Sequence, residues 1–228
     1  MRQMIGLIRV LSGGLVAAGC VLTGPGPAAV PVGVAVSAVR ADGPDLPAGA
    51  WLAFGDSITA SAFLGLGGWT QAFDPGPSPM VRNAGIPGAT AHTALLRLAE
   101  VLAANPDAAR VGLAFGTNDA YSAIVAPDLF AARMRAVVEQ VEVAGRRPML
   151  ATIPWSPLAQ MAILPAYNEA LGAIAADHQL PPGPDLYAWF AAHPDELGAD
   201  GIHPTAAGSA SIRRLWGAAL RVGFKTGG

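Results

Sequence analysis

The residues best suited to chemistry lie in four short stretches. Gly55-Asp56-Ser57 is the first. A serine on the opening turn of a helix turns its hydroxyl and its backbone N–H toward the same space, which suits a nucleophile whose own amide steadies the negative charge its attack creates. Asp and Ser are also favoured helix N-caps, so the triplet alone decides little. Asp200-Gly201-Ile202-His203-Pro204 is the second. An aspartate three residues before a histidine in a loop can accept from the imidazole, fix its tautomer and stabilise its charged form. His193 competes for that role, but Pro194-Asp195-Glu196 after it reads as a solvated turn.

Gly116-Thr117-Asn118-Asp119 is the third stretch. The Asn118 amide carries two N–H donors, suited to a carbonyl oxygen that gains negative charge. Asn and Asp also favour turns, which is the plainer account of the string. Asn83-Ala84-Gly85-Ile86-Pro87-Gly88 is the fourth. Glycine lets a ligand oxygen come close to the backbone, and Gly85 is the candidate donor there. An ordinary turn would use the same residues.

These stretches need elements to hold them together. Short apolar runs at Trp51–Phe54, Met80–Asn83, Arg110–Phe115 and Met149–Ile153 read as buried strands, with Asp185–Tyr187 as a weak fifth. Between them, helical spacing places apolar residues over 90–103 and 127–143. In the second, Pro127 and Asp128 open the helix and Gly145 closes it. Residues 166–177 and 206–220 are further helices. Alternating strands and helices imply a parallel sheet covered on both faces, with a site beyond the carboxyl ends of the strands. Each of the four stretches falls at such an end or just before the last helix.

Taken together and in this order, the stretches resemble the SGNH hydrolase family, the GDSL esterases and lipases. Ser57 in GDS, Gly85 in NAGIPG, Asn118 in GTND and His203 in DGIHP match its four blocks. The resemblance runs from about Trp51 to Leu220 and departs mildly at Pro87, where a small polar residue is common. It implies a three-layer α/β/α sandwich of flavodoxin-like type with about five parallel strands. It also implies Ser57 as nucleophile, Asp200 and His203 completing the triad, and an oxyanion hole from the Ser57 and Gly85 amides and the Asn118 side chain. The activity implied is ester hydrolysis through an acyl-enzyme, with neither cofactor nor metal. Small or medium acyl esters, including O-acetylated carbohydrate, are the expected substrates. A lysophospholipase or thioesterase acting on lipid acyl groups, or a non-catalytic binding module on the same fold, are the alternatives. The apolar run from Pro154 to Leu164 could wall an acyl pocket or simply pack in the core.

Composition narrows the rest. A net charge of −2, a single lysine at Lys225 and no basic run argue against a nucleic-acid binder. No GxGxxG or GxxxxGK[ST] stands after a strand, which argues against a nucleotide binder on a similar sheet. The histidines lack metal-ligand spacing, and Cys20 is the only cysteine. Arg2 and Arg9, then the apolar stretch Val10–Gly19 and the small residues before Cys20, form a secretory signal pattern. Its end resembles a bacterial lipobox with Ala17 where leucine is usual, and a second cut site follows Val39-Arg40-Ala41. The expectation is an exported protein. Residues 1–48 are signal and Gly/Pro-rich linker, Cys20 is a candidate for lipidation and membrane tethering, and the hydrolase domain spans residues 49–228.

Overall fold

The structure is a computed structural model that describes residues 50–64, 81–122 and 124–225. The N-terminal segment with Cys20, and Met80 of the second strand, lie outside the described residues. Four strands, β1 (Ala50–Gly55), β2 (Val81–Gly85), β3 (Ala108–Ala114) and β4 (Arg147–Leu150), form one parallel sheet in the order β2-β1-β3-β4. Seven α-helices accompany them among the described residues. They are α1 (Ser57–Ala62), α2 (Ala91–Ala104), α3 (Thr117–Tyr121), α4 (Pro127–Val143), α5 (Leu164–Asp177), α6 (Leu186–Ala192) and α7 (Ala206–Lys225).

Strand β1 shows why the sheet is covered twice. Its side chains alternate between faces, and both faces are apolar. Leu52 and Phe54 join the core that holds Leu98 of α2, Phe130 and Met134 of α4 and Tyr167 of α5. Trp51 and Ala53 join the opposite core with Ile58 of α1, Phe190 of α6 and Trp216 of α7. Trp51 lies 4.9 Å from Trp216 between ring centres, and Phe130 stacks on Tyr167 at 4.2 Å. Met161 and Leu164, candidates for an acyl pocket, are buried in the first core, so packing accounts for them.

The weak fifth strand is not one. Asp185 caps α6, its carboxylate accepting the Ala188 N–H at 3.0 Å, and Leu186 and Tyr187 are helical. The chain does run along the β4 side just before this, where Pro184 accepts from Thr152 at 3.1 Å. Pro181, Pro182 and Pro184 supply no N–H for a strand ladder there. The described sheet therefore has four strands rather than about five.

The two ends of the sheet differ. At the amino ends of β3 and β4 a cavity of about 480 Å³ is lined by Arg110, Arg146, Arg147 and His178. Arg146 donates to the carbonyls of Leu102, Asn105 and Ala108, closing the end of α2. At the carboxyl ends, β1 delivers Ser57, β2 the loop after Gly85, and β3 the segment that begins at Gly116.

Candidate active site

Ser57 is the first residue of α1, as its place after β1 predicts. Asp56 follows the strand and caps the helix, its carboxylate accepting the Ile58 N–H at 2.9 Å. This carboxyl is fully enclosed, and burial pushes it up to about 6, against the opposing pull of the Ile58 N–H and of Thr117. The Ser57 N–H has no acceptor among the described residues.

His203 and Asp200 arrive on the turn before α7. His203 Nε2 is 2.9 Å from Ser57 Oγ, and His203 Nδ1 is 2.7 Å from Asp200 Oδ2. The second Asp200 oxygen accepts the Ile202 and His203 N–H groups, each at 3.0 Å. The Ile202 N–H, then the His203 ring and the His203 N–H, hold the Asp200 carboxyl down to about 2. Both side chains of the pair remain half exposed, His203 at 49% and Asp200 at 52%. His193 lies apart. Its Nδ1 pairs with the Trp189 carbonyl at 2.9 Å and its ring stacks on Trp189.

Asn118 sits on α3 with its Nδ2 donating to the Ala89 carbonyl at 2.9 Å, which leaves the second hydrogen of that amide to spare. The next residue secures the arrangement. Asp119 is buried and accepts the Ala91 N–H at the start of α2, at 2.9 Å, so α3 and the loop that contains Ala89 are bound twice. Among the described residues no group of three or more His, Cys, Asp or Glu side chains is placed to hold a metal ion.

Residues 53–210 match the GDSL-like Lipase/Acylhydrolase family. The chain belongs to that family. No curated protein matches it. Among solved structures it is similar to TesA at 27% identity and a TM-score of 0.64, covering 75% of this chain and 98% of that one. It is also similar to Axe2, an acetylxylan esterase from Geobacillus stearothermophilus, at 22% identity, a TM-score of 0.64, and coverage of 75% and 94%. A lipase/acylhydrolase from Enterococcus faecalis follows at 24% identity, a TM-score of 0.61, and coverage of 75% and 95%. As a GDSL-family protein the chain is a carboxylic ester hydrolase of SGNH type.

One candidate of this GDSL-family site is placed differently from expectation. The Gly85 N–H donates to its neighbour Asn83 Oδ1 at 2.9 Å and is not open to a substrate oxygen. Gly85 is instead a packing residue. A Cβ there would fall onto α1, 2.6 Å from the Ala60 Cα, and Asn83 Nδ2 further ties β2 to that helix through the Ala60 carbonyl. The free donor lies three residues on. Ala89 N–H closes a turn onto the Ile86 carbonyl at 3.0 Å, with Pro87 and Gly88 at its centre. Gly88 has φ +75°, as the third position of a type II turn requires, and proline suits the position before it. The Gly88 N–H has no acceptor among the described residues, and Ala89 beside it carries the carbonyl that holds Asn118. The second glycine of NAGIPG was the available signal: Pro-Gly marks a turn, and the first glycine stands within the strand.

Proposed function

We propose that this esterase works through a covalent acyl-enzyme on Ser57 and takes esters of small or medium acyl groups. The observation that carries the reading is the continuous line from Ser57 Oγ to His203 to Asp200, at 2.9 and 2.7 Å. His203 Nε2 takes the hydroxyl proton as Oγ bonds to the ester carbonyl carbon, and the carbonyl π electrons move onto oxygen. That oxyanion accepts from the Ser57 and Gly88 amides and from Asn118 Nδ2, taking the place expected for Gly85. When the carbonyl reforms, the C–O bond to the alcohol breaks and His203 returns the proton to the leaving oxygen. Water then attacks the acyl-Ser57 ester with His203 again as base, releasing the acid and Ser57. Asp200 keeps the imidazole in the tautomer that leaves Nε2 free to accept.

The substrate reading rests on the openness of the His203–Asp200 pair and on the loss of Met161 and Leu164 to the core. A long acyl chain needs an apolar wall, whereas an acetyl group on a sugar needs little more than the reacting centre. Axe2, which shares this fold, is an acetylxylan esterase. The deciding experiment compares hydrolysis of p-nitrophenyl acetate and octanoate by the protein and its Ser57→Ala variant. Turnover that disappears in the variant and favours acetate is the expected result. Equal turnover in the variant removes Ser57 from the mechanism. A preference for octanoate moves the substrate to lipid acyl esters, and a wild-type protein that neither turns over esters nor takes a phosphonate label on Ser57 is a binding module.

We also infer from Arg2, Arg9 and the apolar stretch to Cys20 that residues 1–48 direct export, with Cys20 as the point of lipid attachment. The mass of the protein recovered from the cell envelope tests this. An unmodified Cys20, or cleavage beyond it, removes the tether, and a full-length cytoplasmic form removes export.

A further inference from the structure

The turn that carries Asp200 and His203 is fastened to the strand layer at one peptide unit. The Gly201 carbonyl accepts from the Ser156 hydroxyl at 2.8 Å. The N–H on the other side of the same peptide, that of Ile202, donates to Asp200 Oδ1 at 3.0 Å. A peptide unit is planar, so a hydroxyl that fixes the carbonyl fixes the N–H as well. The turn also closes on itself, through Gly198 N–H to the His203 carbonyl at 2.7 Å, Gly201 N–H to the Gly198 carbonyl at 2.9 Å and His203 N–H to Asp200 Oδ1 at 3.0 Å. None of these uses the carbonyl or the N–H of the Gly201–Ile202 peptide.

Ser156 is well placed to do so. It lies in the loop that follows β4, is 9% exposed, and its oxygen also accepts the Leu158 N–H at 3.3 Å. Pro157 and Leu158 lie directly beneath Gly201, where a Cβ would meet them at 3.2 and 3.4 Å. The hydroxyl therefore has a fixed position, a buried setting and a single strong acceptor.

We propose that Ser156 is a positioning residue, whose buried hydroxyl locks the Gly201–Ile202 peptide and so keeps the Ile202 N–H on the Asp200 carboxylate. This rests on the roles given above to Asp200 and His203, but it makes a claim about the turn that can be read without turnover. Of the groups that hold Asp200 in its charged form, the Ile202 N–H acts most strongly. A peptide freed by loss of the hydroxyl would take that N–H away, leave Asp200 easier to protonate and let the imidazole drift from Ser57.

The test uses the full-length protein and two variants. Ser156→Ala removes the donor, and Ser156→Cys keeps nearly the same volume with only a weak one. The readouts are the titration of the Asp200 carboxyl carbon by NMR and the steady-state constants on p-nitrophenyl acetate. The expected result is an Asp200 midpoint above that of the wild type in both variants. A fall in kcat of about 10- to 100-fold should accompany it, the scale for a catalytic group moved out of line. KM should stay within about two-fold, since the loss falls on the transition state. Cysteine keeps the site filled, so it answers even where alanine fails to fold. A folded variant of either kind with the wild-type Asp200 titration overturns the proposal. Failure of the mechanism shows separately, as turnover that survives Ser57→Ala while the Asp200 midpoint still moves with Ser156.

Discussion

Asn118 reaches across from α3 to hold the Ala89 carbonyl at 2.9 Å, joining that helix to the loop before α2. That bond spends one hydrogen of the amide and aims the other. Asn118→Ala removes both the donor and the tie. It should lower kcat on p-nitrophenyl acetate by about 10²–10³-fold, the usual loss for an oxyanion donor. A kcat within a few fold of wild type would take Asn118 out of the oxyanion site.

Gly85 and Gly88 make a paired prediction, because one is packed and the other is open. Gly85→Ala drives a methyl into the α1 backbone, so it should destabilise by about 3 kcal/mol, the upper end of the usual cost of overpacking, or prevent folding. Nothing lies within 4 Å of a Cβ at Gly88, and its φ of +75° costs alanine only about 1–2 kcal/mol. Urea denaturation of the two variants gives the comparison. Equal losses would mean that the contact between β2 and α1 is looser than described.

The contrast between these glycines also shows how far the sequence can be read. The helix at Pro127–Val143 is legible to the residue, because proline opens it and Gly145 follows its end. The strands announce themselves as apolar runs stopped by glycine or proline. Asp185 misleads because an aspartate before Leu-Tyr fits a helix cap as well as a strand start, and only the prolines before it tip the balance. Ser57, Asn118, Asp200 and His203 are legible because their spacing within each motif is local. Which glycine keeps a free N–H is also set locally, since Asn83 Oδ1 takes the Gly85 N–H and the Pro87-Gly88 turn leaves that of Gly88 without an acceptor among the described residues. What is not local is the close approach of α1, which leaves no room for a side chain at Gly85. Ser156 carries no sequence signal, since its partner is 45 residues away.

Asp56 should shape the dependence of stability on pH. Its carboxyl is raised from 3.8 to about 6, chiefly by burial. Between those values the folded protein keeps a proton that the unfolded chain has lost. The contribution of Asp56 to stability therefore falls as pH rises from about 4 to about 6, by on the order of 3 kcal/mol, and is level above that. Asp56→Asn keeps an acceptor for the Ile58 N–H and cannot ionise. Urea midpoints at pH 4.5 and pH 8 should converge in the variant relative to wild type. Parallel changes in the two proteins would show that Asp56 does not titrate in that window.

Asp200 has the opposite sign. Its carboxyl is lowered to about 2, so the interactions that hold it are at full strength above 3.8 and are lost as pH falls through about 2. It stays charged throughout the range in which esterases are assayed. Asp200→Asn should therefore reduce kcat by about 10³–10⁴-fold at every pH from 5 to 9, the scale seen when a triad histidine loses its carboxylate. A deficit confined to one end of that range would contradict a carboxylate that is always ionised.

The prolines beside β4 have a consequence for the protein in concentrated solution. A parallel sheet that stops at a border strand exposes a row of amides and carbonyls, and such a row invites another chain to dock as the next strand. Here β4 is that border, and Gly183 presses against the Leu150 carbonyl with a proline on either side. Thr152 spends its N–H on Pro184. The carboxyl end of this border is covered by backbone that cannot itself extend the ladder, which works against stacking there when many copies crowd together.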